Sequence, residues 1–249
     1  MIIKKLIKSL LPELILKNIR ILKQYVKYNQ YRKLSSSDIF SQIYKKRVWG
    51  ISVDPLQPFF SGGGSRDDLI IAPYIKSIKN FMLQLKTKPS VVDLGCGDFF
   101  VGSQIREYCG EYIACDIVPE LIEYNKEKFK SLNVEFKVLD LALDQLPRAD
   151  IVIIRQVLQH LNNKQILQFI PKITKYKYAI VTEHLPRLHS FEHNIDKLAG
   201  PNTRLELRSG VILTSPPFNL IPYTEQKLCE VKENDSFITT TLYQISNNP

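Results

Sequence analysis

Three stretches of this chain place an acid where a run of apolar residues ends. Val91-Val92 leads into Asp93-Leu94-Gly95-Cys96-Gly97, Ile113-Ala114-Cys115 into Asp116-Ile117, and Val138-Leu139 into Asp140-Leu141. A carboxylate at a strand end can accept hydrogen bonds from a cationic or hydroxylated ligand. Gly95 and Gly97 can take positive φ and let a ligand approach the backbone. Asp116 follows Gly97 by 19 residues, about where an acid reaches ribose hydroxyls in nucleotide-binding sheets. Asp140 is placed to meet an exocyclic adenine amine, with the Leu141 N–H beside it. Taken singly, each acid reads equally well as a helix cap or a solvated turn. Taken together with the glycine turn, they read as a nucleotide-type site. A dinucleotide is disfavoured, because Phe100 stands where a Gly-x-Gly-x-x-Gly turn has its third glycine.

A second set of residues could act on an acceptor. Arg155-Gln156-Val157-Leu158-Gln159-His160 follows a fourth apolar run, and Thr182-Glu183-His184 follows a fifth. This puts Arg155 at the rim of the site, a candidate for both cofactor binding and catalysis. A sugar hydroxyl has a pKa far above neutral, so its alkylation benefits from a general base, and histidine is the commonest. His160, His184 and Glu183 are the catalytic candidates. His160 fits equally a packed helix residue, and His184 a turn or substrate-positioning residue. His189 and His193 read as loop residues. Glu183, His184 and Asp196 could gather around a hard cation, but nothing in their spacing demands one, and no metal is expected.

The elements that must position these residues alternate. Strands are expected at 90–94, 111–115, 134–139, 151–154 and 178–182, with helices at 101–108, 119–132 and near 163–169. This β–α order predicts a parallel, doubly wound sheet. Two further strand-like runs, 226–232 and 237–245, are joined by the hairpin-like Glu233-Asn234-Asp235-Ser236. Ahead of the sheet lie a helix over 69–85, the loop Ser61-Gly62-Gly63-Gly64-Ser65, which either links elements or closes over a ligand, and a short helix at 39–44. The expected division is a basic amphipathic arm at 1–34, a helical cap with the Gly-rich loop at 35–88, and the sheet domain at 89–249.

Charge separates the arm from the rest. Residues 1–33 hold nine Lys and Arg against one acid, Glu13, which is nearly all of the chain's net charge of +9. Apolar residues recur between these bases at helical spacings, with Pro12 expected to separate two helical pieces. Such a helix either packs on its own domain or lies on an anionic membrane surface. The nearly neutral body argues against a basic nucleic-acid groove. No apolar run is long enough to span a bilayer. The four cysteines form no Cys-x-x-Cys pair and read as reduced, buried fillers.

Val-Val-Asp-Leu-Gly-Cys-Gly-Asp (91–98), Ile-Ala-Cys-Asp-Ile (113–117), Val-Leu-Asp-Leu (138–141) and the 149–161 segment together resemble the class I S-adenosylmethionine-dependent methyltransferases. The resemblance implies a Rossmann-like α/β fold: a seven-stranded, mostly parallel sheet with an antiparallel C-terminal strand, here with an N-terminal helical extension. It implies S-adenosyl-L-methionine as cofactor, with Asp93, Gly95 and Gly97 at the methionine moiety, Asp116 on the ribose, Ile117 against the adenine and Asp140 at its amine. Ile43-Tyr44, Trp49-Gly50 and the Ser61–Ser65 loop further resemble methyltransferases of polysaccharide and lipopolysaccharide biosynthesis. That narrower likeness implies O-methylation of a sugar in a surface glycan. The expected partner is a glycan or sugar acceptor, not nucleic acid. The expected location is cytoplasmic, with residues 1–34 a candidate for peripheral contact with the inner membrane face. The alternative is an RNA or small-molecule methyltransferase.

Overall fold

The computed structural model describes residues 12–246; residues 1–11, which carry the start of the basic arm, lie outside them. Its elements in chain order are α1 (Glu13–Tyr28), α2 (Ser36–Lys45), α3 (Asp68–Leu83), β1 (Val91–Leu94), α4 (Phe100–Ile105), β2 (Tyr112–Asp116), α5 (Pro119–Lys128), β3 (Glu135–Val138), β4 (Ile151–Arg155), α6 (Asn163–Ile173), β5 (Tyr178–Pro186), β6 (Thr224–Glu233) and β7 (Ser236–Gln244). They build one seven-stranded sheet in the order β3-β2-β1-β4-β5-β7-β6. Strands β1 to β5 pair in parallel, whereas β7 runs antiparallel to both β5 and β6. This is the fold expected, with the last strand inserted between the fifth and sixth.

The apolar runs are buried on both faces, as a covered parallel sheet requires. Along β1 and β4, Val92, Leu94, Val152 and Ile154 enter one core, packed with Ile43 of α2 and Phe169 of α6. The alternate residues Val91, Ile151 and Ile153 enter the opposite core with Ile78 of α3 and Ile122 of α5. Helix starts are fixed by side-chain caps. Ser35 accepts from Asp38 N at 3.1 Å and Asp67 from Leu69 N at 2.9 Å. Asn162 and Gln165 form a reciprocal capping box at the start of α6.

Two findings differ from the sequence expectations. Strand β5 continues to Pro186, because β7 supplies an antiparallel partner for its whole length. Glu183 and His184 are therefore strand residues on opposite faces, not a strand-end pair. The 1–34 boundary also cuts through packing. Tyr28 and Tyr31 belong to the main core, and Tyr28 Oη donates to Glu206 at 3.0 Å. Pro12 does precede the described helix of the arm.

Candidate functional site

The sheet order reverses between β1 and β4, which opens a crevice at the carboxyl ends of the strands. There β1 hands over to α4 through Gly95-Cys96-Gly97-Asp98. Gly95 has φ +75° and Gly97 φ +56°. A Cβ on Gly95 would lie 2.4 Å from Val157 Cγ2, and one on Gly97 2.4 Å from Ser61 Oγ. Neither position accepts a side chain without strain or collision. The turn is clamped at Gly97: Asp116 Oδ2 accepts from its N–H at 3.0 Å, and Asn125 Nδ2 donates to its carbonyl at 2.7 Å. The other Asp116 oxygen accepts from Val118 N at 3.1 Å. Asp93 Oδ2 accepts from Tyr112 Oη at 3.0 Å.

The glycine-rich loop lies over this turn. Ser61 Oγ accepts from Asp98 N at 2.8 Å, and Tyr44 Oη is 3.0 Å from the same oxygen. Arg66 forms a 2.7 Å ion pair with the buried Asp98 and stacks 4.1 Å above the Phe100 ring. From the other side, Arg155 donates to Ser65 Oγ at 3.1 Å and to the Gly64 carbonyl at 2.7 Å. The loop thus lines the cavity beside the glycine turn.

Strands β4 and β5 supply the acceptor half. Gln156 takes a left-handed backbone, φ 57°, while its N–H donates to Thr182 O at 2.7 Å. (A non-glycine residue held this way at a cavity wall is backbone strain of the kind that concentrates at functional sites.) Its amide Nε2 lies 3.2 Å from His184 Nδ1, and Gln159 Oε1 lies 3.1 Å from the same nitrogen. His184 Nε2 is paired with the Glu233 carboxylate at the end of β6. His160 sits in the short 3₁₀ turn Leu158–His160, its ring 5.1 Å from that of Trp49, and its Nδ1 is buried without a hydrogen-bond partner.

Burial sets the electrostatics. It pushes the Asp93 carboxyl up to about 7, against the opposing Tyr112 hydrogen bond and Arg155 charge. It pushes Asp116 up to about 6, against the backbone N–H groups of Val118 and Gly97. Burial pulls the His160 imidazole down to about 3, so that ring is neutral at physiological pH. Burial also lowers the Arg155 guanidinium from its ordinary value, opposed by Tyr74 and Asp93.

The Gly95–Asp98 turn, the 61–65 loop, Gln156 and Gln159 border one cavity of about 350 Å³. Every cofactor candidate lines it: Asp93, Gly95, Gly97, Asp116, Ile117, Asp140, Leu141 and Arg155. Asp140 also caps its own turn, accepting from Ala142 N at 2.8 Å. His160 and His184 line the cavity too. Glu183 does not. The strand pleat turns it to the opposite face, where Oε1 accepts from Leu158 N at 3.0 Å and Oε2 is buried without a partner. The structure therefore corrects its placement as a group facing the acceptor. Tyr44 and Gln159, from stretches singled out in the sequence, also line the cavity, whereas Thr203 in the lining and Asn125 behind the turn carry no sequence signal.

The lining suits a cationic ligand. Among the described lining residues, Arg155 alone carries a fixed positive charge, against Asp93, Asp98, Asp116 and Asp140. A sulfonium nucleoside supplies the missing cation, two ribose hydroxyls and an adenine amine, which these carboxylates can accept.

Comparison with known proteins bears on the same segment. Residues 91–176 match a family described as "Methyltransferase domain". Over 116 residues the chain is 29% identical to the malonyl-(acyl-carrier protein) O-methyltransferase of Acetivibrio thermocellus, covering 43% of this chain and 41% of that protein. The chain thus spans about two-fifths of the length of that curated relative. In fold it is similar to the N-methyltransferase NodS from Bradyrhizobium japonicum WM9 in complex with S-adenosyl-L-homocysteine. The TM-score is 0.56 at 11% identity, over 84% of this chain and 100% of that one. It is also similar to the magnesium protoporphyrin IX methyltransferase of Synechocystis PCC 6803 with bound S-adenosylmethionine, with a TM-score of 0.52 at 13% identity, over 84% and 98% of the two chains. Residues 91–176 thus match a methyltransferase domain, and the chain shares the fold of these methyltransferases.

Proposed function

We propose that this chain is an S-adenosylmethionine-dependent methyltransferase that methylates a sugar hydroxyl of a surface glycan or its precursor. The observation that carries the reading is His184, backed by Glu233 and flanked by Gln156 and Gln159, in the half of the cavity built from β4 and β5. The acids for the cofactor belong to β1, β2 and β3, on the other side of the switch point. Donor and acceptor thus have separate halves of one crevice.

The cofactor supplies a methyl group on a sulfonium, which becomes a neutral thioether when the hydroxyl oxygen takes the methyl carbon. The protein's task is alignment, exclusion of water and removal of one proton. Asp93 and the Gly95–Gly97 turn hold the methionine end, Asp116 the ribose, and Ile117, Asp140 and Leu141 the adenine. Arg155 holds the loop over them.

Of the two histidines, His184 is the one placed to take the proton. The proton left by the hydroxyl would sit on an imidazolium already facing the Glu233 carboxylate, the arrangement in which an acid orients and stabilises a histidine. His160, pulled down to about 3, is too weak a base and serves as a neutral hydrogen-bonding group beside Trp49. An indole face with amide side chains nearby suits a pyranose, which offers C–H groups on one face and hydroxyls at its edge. Glu183 holds the 158–160 turn through Leu158 and does not touch the acceptor.

The test is transfer of labelled methyl from S-adenosylmethionine to isolated surface polysaccharide, with the product assigned by NMR. An O-methyl sugar is expected. Transfer to RNA or to a small carboxylic acid, with none to any glycan fraction, would overturn the reading.

A further inference from the structure

The side of helix α1 that packs on the protein is largely polar, with Leu16 and Ile21 half-buried at its edges. Lys17, Arg20, Gln24 and Tyr28 turn toward the protein, where Lys17 pairs with Glu192 at 2.6 Å and Lys27 with Glu206 at 3.1 Å. The opposite side, Leu14, Ile15, Ile19, Leu22, Tyr25 and Val26, is exposed, with Leu14, Leu22 and Val26 at 67%, 65% and 72%. Their spacing of three and four gathers them on one continuous face. A helix that buries amides and ammonium stems and offers its apolar stripe to solvent has a partner other than its own domain.

Charge chooses between partners. Three bases of the preceding stretch, Lys4, Lys5 and Lys8, and then Lys23, Arg32 and Lys33, join an arm that contains one acid, Glu13. Among the described residues, Lys23, Arg32 and Lys33 make no ion pair. Pairing two such arms would bring like charges together. An anionic lipid surface meets both the apolar stripe and its basic flanks.

We propose that the exposed face of α1 docks the protein on an anionic membrane. The helix is also joined to the acceptor half of the cavity. Gly200, whose added Cβ would lie 3.4 Å from the Tyr31 ring, donates its N–H to the His160 carbonyl at 3.0 Å. Trp49 Nε1 donates to the carbonyl of Pro201 at 3.2 Å, and Pro201 and Thr203 line the cavity. Docking therefore holds the acceptor half next to a lipid-borne glycan precursor. That last step rests on the proposed function; the membrane contact does not.

The experiment uses the full chain and its L22E/V26E variant, both changes being at exposed positions outside the catalytic and binding machinery. Co-sedimentation is measured with vesicles of equal parts phosphatidylcholine and phosphatidylglycerol, and with phosphatidylcholine alone. The wild-type chain should bind the anionic vesicles at least about tenfold more tightly than the neutral ones, with binding falling as salt rises. The variant should lose at least about tenfold on the anionic vesicles while binding S-adenosylmethionine as wild type does. No wild-type binding, equal binding by the variant, or a wild-type dimer that the variant converts to monomer would overturn the docking proposal. Vesicle binding without methylation of any glycan would uphold the docking and sink the proposed acceptor instead.

Discussion

Arg155 donates to the carbonyl of Gly64 at 2.7 Å, joining the end of β4 to a loop 91 residues earlier in the chain. The same guanidinium reaches Ser65 Oγ and lies 5.2 Å over the Tyr74 ring. Lysine keeps the charge but cannot span two acceptors with a planar fork. R155K should therefore free the loop: calorimetry should give cofactor binding weaker by about tenfold, or ~1.4 kcal/mol. Protease should cut more readily within 61–66. Unchanged affinity would mean that the loop contributes nothing to holding the cofactor.

Gly97 is the second test. Alanine there must adopt φ +56° and displace Ser61, whose Oγ would stand 2.4 Å from the new Cβ. G97A should lower thermal stability by about 1–3 kcal/mol, the usual range for strained backbone. It should also reduce cofactor affinity more than Gly63→Ala, because an added Cβ on Gly63 meets nothing within 4 Å.

His184 and Glu233 make a kinetic pair. H184N should lower kcat by about 10²–10⁴, the contribution of a positioned base, with cofactor Kd unchanged. E233Q should act in the same direction but less. Full turnover by H184N would move the proton to another group.

Glu183 gives a pH signature of stability. Burial raises its carboxyl from the ordinary 4.5 to about 8, with Arg204 and the 157–159 backbone N–H groups opposing. The folded state thus holds a proton that the unfolded chain releases near 4.5. Stability from this group is complete below that pH and is lost as pH rises through about 8. The raised Asp93 and Asp116 add to the same slope at lower pH. Melting temperature should fall between pH 5 and pH 8, and E183Q should flatten that fall. A steeper fall in E183Q would contradict the assignment.

The sheet was legible because its central strands β1 and β4 are short β-branched runs buried on both faces, and because each of the first three strands hands over at an acid. Asp93, Asp116 and Asp140 could be picked out for the same reason: strand ends in such a sheet converge on one crevice, so spacing along the chain becomes position in space. The loop–Arg155 contact had no such signature. Glycines at 62–64 fix only that the chain can bend, and their partner lies beyond the whole first half of the sheet. Glu183 was misplaced because β5 looked like a strand ending at 182. Its extension depends on β7, and one more residue of strand reverses which face a side chain takes. Asn125 reads from sequence as an ordinary helix residue, yet it is fully buried and bonded to the glycine turn.

The insertion of β7 between β5 and β6 has a consequence for synthesis. β5 cannot gain its second neighbour, β7, nor His184 its Glu233 partner, until residues up to about 244 have left the ribosome. β1 to β4 and the glycine turn are all synthesised well before that point. Cofactor binding and turnover should therefore be acquired at different chain lengths, and the half-built enzyme would hold its methyl donor before it can spend it.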